Sequence, residues 1–165
     1  MDKISPCLWF DGKAEEAARF YTSLFPNSRI TSIDRSPGET PSGPADMVLT
    51  VNFEIDGRSF IGLNGGPDFQ FNEAISLSID CADQAEVDRY WDALTANGGE
   101  ESVCGWLKDR YGVSWQVIPR RLPELLKDPD RTAAARALEA MLKMVKIDVA
   151  ELERAARGEP VGATR

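Results

Sequence analysis

The sequence predicts an α+β fold made of two βαβββ modules followed by C-terminal helices. Three observations carry that expectation. Phe20-Tyr21-x-x-Leu24 in a first amphipathic segment is matched 70 residues on by Tyr90-Trp91-x-x-Leu94 in a second. A strand-like run precedes each of these segments and alternating runs follow it, so the repeat is of whole modules and not of helices alone. After residue 128 the pattern turns entirely helical, with Leu138, Met141, Leu142 and Val145 at helical spacing.

The elements follow in order. Ile4 to Phe10 is short, apolar and rich in strand formers. Asp11 or Gly12 then caps a helix from about Lys13 to Phe25, with Ala14, Ala17, Ala18, Tyr21, Leu24 and Phe25 on one face and Pro26 as the stop. Arg29 to Asp34 reads as a strand, and Ser36 to Pro44, with three prolines and two glycines, as a loop. Met47 to Ile55 alternates cleanly, Asp56-Gly57 signals a hairpin turn, and Ser59 to Asn64 returns. In the second module Ala74 to Asp80 alternates, with Ile75, Leu77 and Ile79 on one side. Asp83 and Glu86 form a capping pair for a helix to about Ala96 that buries Val87, Trp91 and Leu94. A weak strand near Glu100 to Ser102 precedes a hairpin of Val103–Lys108 and Val113–Ile118. Asp128-Pro129 starts the tail, with Pro at the first helical position. Asp148 and Glu151 open a last helix in which Ile147 packs on Leu152, Gly158 ends it, and Gly162 to Arg165 is frayed. The domain organisation expected is a paired-module domain over 1–127, with modules about 4–67 and 73–119, and a helical extension over 128–165. The tail's stripe either caps the monomer's core or packs on a second subunit.

Composition bounds the function. With 165 residues the chain can bury a real core. Its formal net charge of −8 argues against nucleic acid or an anionic membrane as partner. Cys7, Cys81 and Cys104 are odd in number and widely spaced, which suits reduced thiols in a cytoplasmic protein. No apolar run has the length of a membrane span, and the residues from Met1 to Ser5 do not read as a signal peptide. There is no histidine at all, which excludes both Cys-His and Ser-His-Asp nucleophilic catalysis. Glu54, Glu73, Asp80 and Asp109 remain as acid–base groups, Glu54 and Glu73 being the candidate bases, against the plainer reading that isolated carboxylates are solvated or cap turns.

Five segments carry a family resemblance: Pro6-Cys7-Leu8-Trp9-Phe10-Asp11-Gly12, Phe20-Tyr21-x-x-Leu24-Phe25-Pro26, Leu63-Asn64-Gly65-Gly66-Pro67, Gly112-Val113-Ser114-Trp115-Gln116 and Lys143-Met144-Val145-Lys146-Ile147-Asp148. Over about Ile4 to Arg157 the chain resembles the vicinal oxygen chelate superfamily, the glyoxalase, bleomycin-resistance and extradiol dioxygenase fold. It is most similar there to the PhnB-like, demethylubiquinone methyltransferase-like branch. The resemblance implies mixed sheets curving around a concave pocket, helices on the convex faces, and a homodimer. It also implies metal ligands on the first and last strand of each module. Those positions are here Pro6, Gly62, Ala74 and Gln116. Pro, Gly and Ala offer no side-chain ligand and Gln only a neutral amide oxygen, so no metal or other cofactor is expected.

If Gln116 points into the concavity, Ser114 and Ile118 share its face, as do Ser76 and Ser78. Leu8, Phe10, Asn64, Thr50 and Asn52 are expected to complete the wall. Gln116 and Asn64 each have a plainer role too, satisfying strand-end or turn backbone groups. Trp9, Trp91, Trp106 and Trp115 read as packing residues. Such a pocket suits an uncharged or aromatic small molecule. Three functions compete: a metal-independent small-molecule binder; an enzyme (isomerase, lyase or transferase); or a dimeric interaction module using the C-terminal helices. A methyl donor of the nucleotide type would call for a Gly-rich loop after a strand and an acidic ribose binder, and the sequence shows neither.

Overall fold

The structure, a computed structural model, describes residues 3–160. The chain divides into two compact units, 1–71 and 72–165.

In the first unit β1 (Cys7–Phe10), α1 (Ala14–Leu24), β2 (Arg29–Arg35), β3 (Val48–Ile55) and β4 (Arg58–Asn64) build a mixed sheet in the order β1-β4-β3-β2. β1 runs parallel to β4, and the other pairs are antiparallel. The β3–β4 turn places Asp56 at φ 47° and Gly57 at φ 75°, the positive pair that a two-residue hairpin needs. α1 buries Ala14, Ala17, Ala18 and Tyr21, the predicted face, against Val51, Phe53 and Ile55 of β3.

The second unit repeats the plan with β5 (Leu77–Cys81), α2 (Gln84–Thr95), β6 (Glu100–Glu101), β7 (Trp106–Lys108) and β8 (Ser114–Pro119), in the order β5-β8-β7-β6. β5 is parallel to β8. Val87, Trp91 and Leu94 of α2 are buried as expected, and the Asp83 side chain accepts a hydrogen bond from the Glu86 backbone N–H. The two βαβββ modules of the sequence reading are therefore present, each with its own sheet. Among the described residues no helix is long and apolar enough to cross a membrane.

Four details depart from expectation. β5 starts three residues late, and Ile75 is exposed in a turn instead of lying on the buried side with Leu77 and Ile79. The strand expected over Val103–Lys108 begins only at Trp106, because Cys104 (φ 60°) and Gly105 (φ 81°) leave extended geometry. Their N–H groups bond instead to the carbonyls of Met144 and Val145. A short α3 (Arg121–Leu126) follows β8 directly; Pro123 within it masked the helical signal. α4 (Arg131–Met141) is capped by Asp130, whose Oδ1 accepts from Thr132 and Ala133 N–H, so Pro129 precedes the cap instead of opening the helix.

The tail also buries a different face from the one predicted. Ala133, Ala134, Ala137 and Ala140 of α4 are buried, whereas Leu138, Leu142 and Val145 are exposed. Small side chains let α4 approach α3 and α5 (Val149–Arg157) closely, which turns the larger aliphatics outward. Ile147 and Leu152 are fully buried in one cluster, as a hydrophobic staple requires, and Gly158 ends α5 in the left-handed region. The fraying assigned to Gly162 to Arg165 lies outside the described residues.

Candidate functional site

Each sheet has one face packed on its own helix and one face left open by it. In the first unit the alternation places Leu8, Phe10, Gly62 and Asn64 on the helix side. Leu8, Phe10 and Asn64 are buried, and a Cβ built on Gly62 would lie 3.3 Å from the Ala14 Cβ of α1. Thr50 and Asn52 lie on the opposite face with Trp9, Ile61 and Leu63. The sheet thus separates residues that the sequence reading had placed on a single wall.

Asn64 has a specific structural task. Its Oδ1 accepts from Ala14 N–H at 2.9 Å and its Nδ2 donates to the Val48 carbonyl at 2.9 Å. It thereby satisfies the first turn of α1, where Lys13 at the cap position supplies no side-chain bond. The expected cap from Asp11 or Gly12 is replaced by a residue from a distant strand.

On the open face of the first unit, Thr50 and Asn52 are tied to Asp34, a residue the sequence reading did not single out. Asn52 Nδ2 donates to Asp34 Oδ2 at 3.0 Å and to Ser32 Oγ at 2.9 Å, and Ser32 Oγ itself donates to Asp34 Oδ2. Glu54 farther along β3 pairs with Arg29 at 3.0 Å.

In the second unit the open face carries Ser76 and Ser78 from the β5 side, Ser114, Gln116 and Ile118 from β8, and Trp106 and Lys108 from β7. Gln116 Nε2 donates to Ser76 Oγ at 2.9 Å, and Ser78 lies directly across from Gln116 in the parallel register. Ser76, Ser78 and Gln116 thus lie side by side on this face. The opposite face (Ile79, Cys81, Leu107, Trp115 and Val117) is buried. Trp106 and Lys108 share this face, although the sequence reading does not count them among the wall residues. The signal was present, since they alternate with Leu107 and pair across the Asp109–Gly112 turn with Gln116 and Ser114.

Beside this face lies a cavity of about 480 Å³, lined by Glu73, Glu100, Glu101, Trp106, Lys108 and Ser114 among others. Ser114 is only 2% exposed, and its hydroxyl has no hydrogen-bond partner among the described residues. A larger hollow of about 1010 Å³ lies among α2, α4 and α5. Its charges are engaged in packing: Lys146 pairs with Asp88, Lys143 with Glu139, and Arg136 donates to the carbonyls of Ala155 and Ala156.

The carboxylates considered as bases are all engaged. The Lys108 ammonium, 2.5 Å from Glu73, holds that carboxyl below its ordinary range, chiefly through their hydrogen bond, which disfavours Glu73 as a base. Asp80 pairs with Arg120 at 2.8 Å. Asp109 is buried, with Oδ1 accepting from Tyr111 and Val113 N–H and Oδ2 from Trp115 Nε1 at 2.9 Å; it organises the β7–β8 turn.

The positions implied as metal ligands do not fit a metal. Pro6 contributes a carbonyl already accepting from Ile61 N–H, Gly62 faces α1, and Ala74 is exposed in a turn before β5. Gln116 alone offers a side-chain donor atom. Among the described residues no group of three or more Cys, Asp or Glu side chains is placed to hold a metal ion.

The family profile described as 3-demethylubiquinone-9 3-methyltransferase matches residues 2–118, which leaves α3 to α5 beyond it. No curated protein matches the chain. Among solved structures it is similar to a PhnB protein from Bacillus cereus, with 37% identity over 70% of this chain and 97% of that one and a TM-score of 0.62. A protein from Pseudomonas aeruginosa is 21% identical over 70% of this chain and 95% of that one, with a TM-score of 0.57; that likeness shows the fold alone.

Proposed function

The chain belongs to the 3-demethylubiquinone-9 3-methyltransferase family, in the PhnB-like branch of the vicinal oxygen chelate superfamily, and from that premise we propose a metal-independent protein that binds a small organic molecule. The observation that carries the proposal is the Gln116–Ser76 pair on the open sheet face of the second unit, with Ser78, Ser114 and Trp106 beside it. These are neutral hydrogen-bonding groups around an aromatic ring, the mix that orients a small molecule by a few polar contacts on an apolar surface. Thr50 and Asn52, organised around Asp34, are the corresponding polar groups of the first unit. Leu8, Phe10 and Asn64 support the first sheet from its helix side and are not assigned contact with ligand.

The family's methyltransferase name is not carried over as an activity. No histidine is available as a base, Glu54 and Glu73 are paired with Arg29 and Lys108, and the sequence shows no Gly-rich loop after a strand with an acidic ribose binder. Exposed Leu138, Leu142 and Val145 support a homodimer, and the free cysteines suit a cytoplasmic location.

Elemental analysis and a melting screen against small aromatic and neutral polar compounds test the proposal together. The expected result is no stoichiometric metal, no shift with EDTA, zinc, manganese or nickel, and a stabilising compound whose effect is lost in Gln116→Leu. One tightly bound metal per chain, or a stabilising compound indifferent to Gln116→Leu, overturns it.

A further inference from the structure

The cavity at the β6–β7 end of the second sheet has a charge balance that the neutral Gln116–Ser76 region does not share. Among the described residues three carboxylates (Glu73, Glu100 and Glu101) line it against one ammonium, that of Lys108. Glu101 is partly committed, since its Oε1 accepts from Trp91 Nε1 at 2.8 Å. That still leaves Glu73 and Glu100 facing a single cation. Lys108 is 2.5 Å from Glu73, and Glu100 adds its field at the same ammonium. Val103 and Trp106 supply apolar lining. Ser114, opposite Lys108 in the β7–β8 register, is buried, and its hydroxyl has no partner among the described residues. A buried hydroxyl without a partner carries a desolvation cost that a bound polar group would relieve.

We propose that this cavity binds a small organic cation, a primary amine on an aromatic or apolar body, with Lys108 as its internal stand-in. The inference rests on the small-molecule reading above and names the ligand class. The incoming ammonium takes the place of the Lys108 ammonium at Glu73, with Glu100 as second counter-charge. Its apolar body lies along Trp106, where the ring face also favours a cation. Ser114 Oγ accepts one of the ligand's N–H bonds. The chain's net charge of −8 favours encounter with a cation over an anion. The Lys108–Glu73 pair then acts as a competitor, setting affinity low until the ligand displaces the lysine.

Three probes of nearly equal size separate the possibilities: benzylammonium, benzamide and benzoate, titrated into the full chain by calorimetry with amide shifts of Lys108 and Ser114 followed by NMR. Benzylammonium is expected to bind, benzamide more weakly and benzoate not at all. Lys108→Met removes the competitor and is expected to tighten benzylammonium roughly tenfold, whereas Glu73→Gln weakens it by about the same factor. Ser114→Ala is expected to weaken binding while keeping the amine-over-acid ranking. Circular dichroism melts check that each variant is folded. Preference for benzoate, or equal benzylammonium affinity in Lys108→Met and Glu73→Gln, overturns the inference. Binding of benzamide alone, abolished by Gln116→Leu, overturns the cation assignment yet leaves the small-molecule reading standing. Binding of none of the three overturns the cation site, and the compound screen above then decides the broader reading separately.

Discussion

The side chain of Asn64, at the end of β4, accepts a hydrogen bond from Ala14 N–H at the start of α1, 2.9 Å away and 50 residues distant in sequence. The same amide donates to the Val48 carbonyl, so one buried group joins the helix N-terminus to two strands. Asn64→Ala leaves both a donor and an acceptor unpaired and is expected to cost about 1–3 kcal/mol. Asn64→Asp keeps the acceptor for Ala14 but sets a carboxylate oxygen against the Val48 carbonyl. It is expected to be destabilised at neutral pH and to recover in acid as the carboxyl protonates. Urea unfolding of the three proteins at two pH values checks this; wild-type stability in both variants would refute the bridging role.

Asp109 makes a comparable junction in the second unit, bonding Tyr111 and Val113 N–H through one oxygen and Trp115 Nε1 through the other. Asp109→Ala strands these donors in a buried site and is expected to cost roughly 3 kcal/mol. Asp109→Asn keeps Oδ1 but turns an amide N–H toward the Trp115 indole N–H, so a smaller loss is expected. The Trp115 indole proton in NMR spectra should move in both variants.

The repeat of modules was legible because it is written in local patterns: strand alternation, two matched helix faces and the turn at Asp56-Gly57. What escaped was set by distant partners. The α1 cap comes from Asn64, the break at Cys104 and Gly105 follows from bonds to Met144 and Val145, and the exposed side of α4 follows from how closely alanines pack. The candidate site divides in the same way. Gln116, Ser76, Ser78 and Ser114 share a face because alternation within β8 and beside β5 is a short-range property. Leu8, Phe10 and Asn64 take the helix face instead of the expected one, because a one-residue choice of phase flips a whole strand. Asp34 carried no pattern of its own and emerges only through its bonds to Asn52 and Ser32.

Restoring ligand-type residues at the degenerate positions is not expected to restore a metal site. Gly62 faces α1, where even a Cβ lies 3.3 Å from Ala14. Gly62→Glu therefore drives a carboxylate into the helix contact, with an expected loss of about 2–4 kcal/mol from overpacking and an unpaired buried charge. Added to Pro6→His, it should lower the melting temperature, and zinc or nickel should not raise it again. A metal-dependent stabilisation of the double variant would show that Gly62 faces the other way.

The cysteines give a pH-dependent signature. Cys81 is buried, and burial first, with the Glu86 and Asp80 charges second, pushes its thiol up to about 12 from an ordinary value of 9.0. In the unfolded chain that thiol ionises near its ordinary value. Between these two points the unfolded state binds fewer protons than the folded one, so stability falls as pH rises. The contribution is fully present below pH 9.0 and is lost progressively toward about 12. Unfolding measured across that window should show this slope, and Cys81→Ala should flatten it. Alkylation provides a second readout, since the thiolate is the nucleophile. At pH 9 a thiol with a pKa near 12 is only about one part in a thousand ionised. Burial raises the Cys7 thiol as well, but Cys7 is exposed and should react with iodoacetamide before Cys81, which should react only once the protein is unfolded. Rapid modification of Cys81 in the folded protein would show that the β5 edge opens on its own, and would remove burial as the cause of the shift.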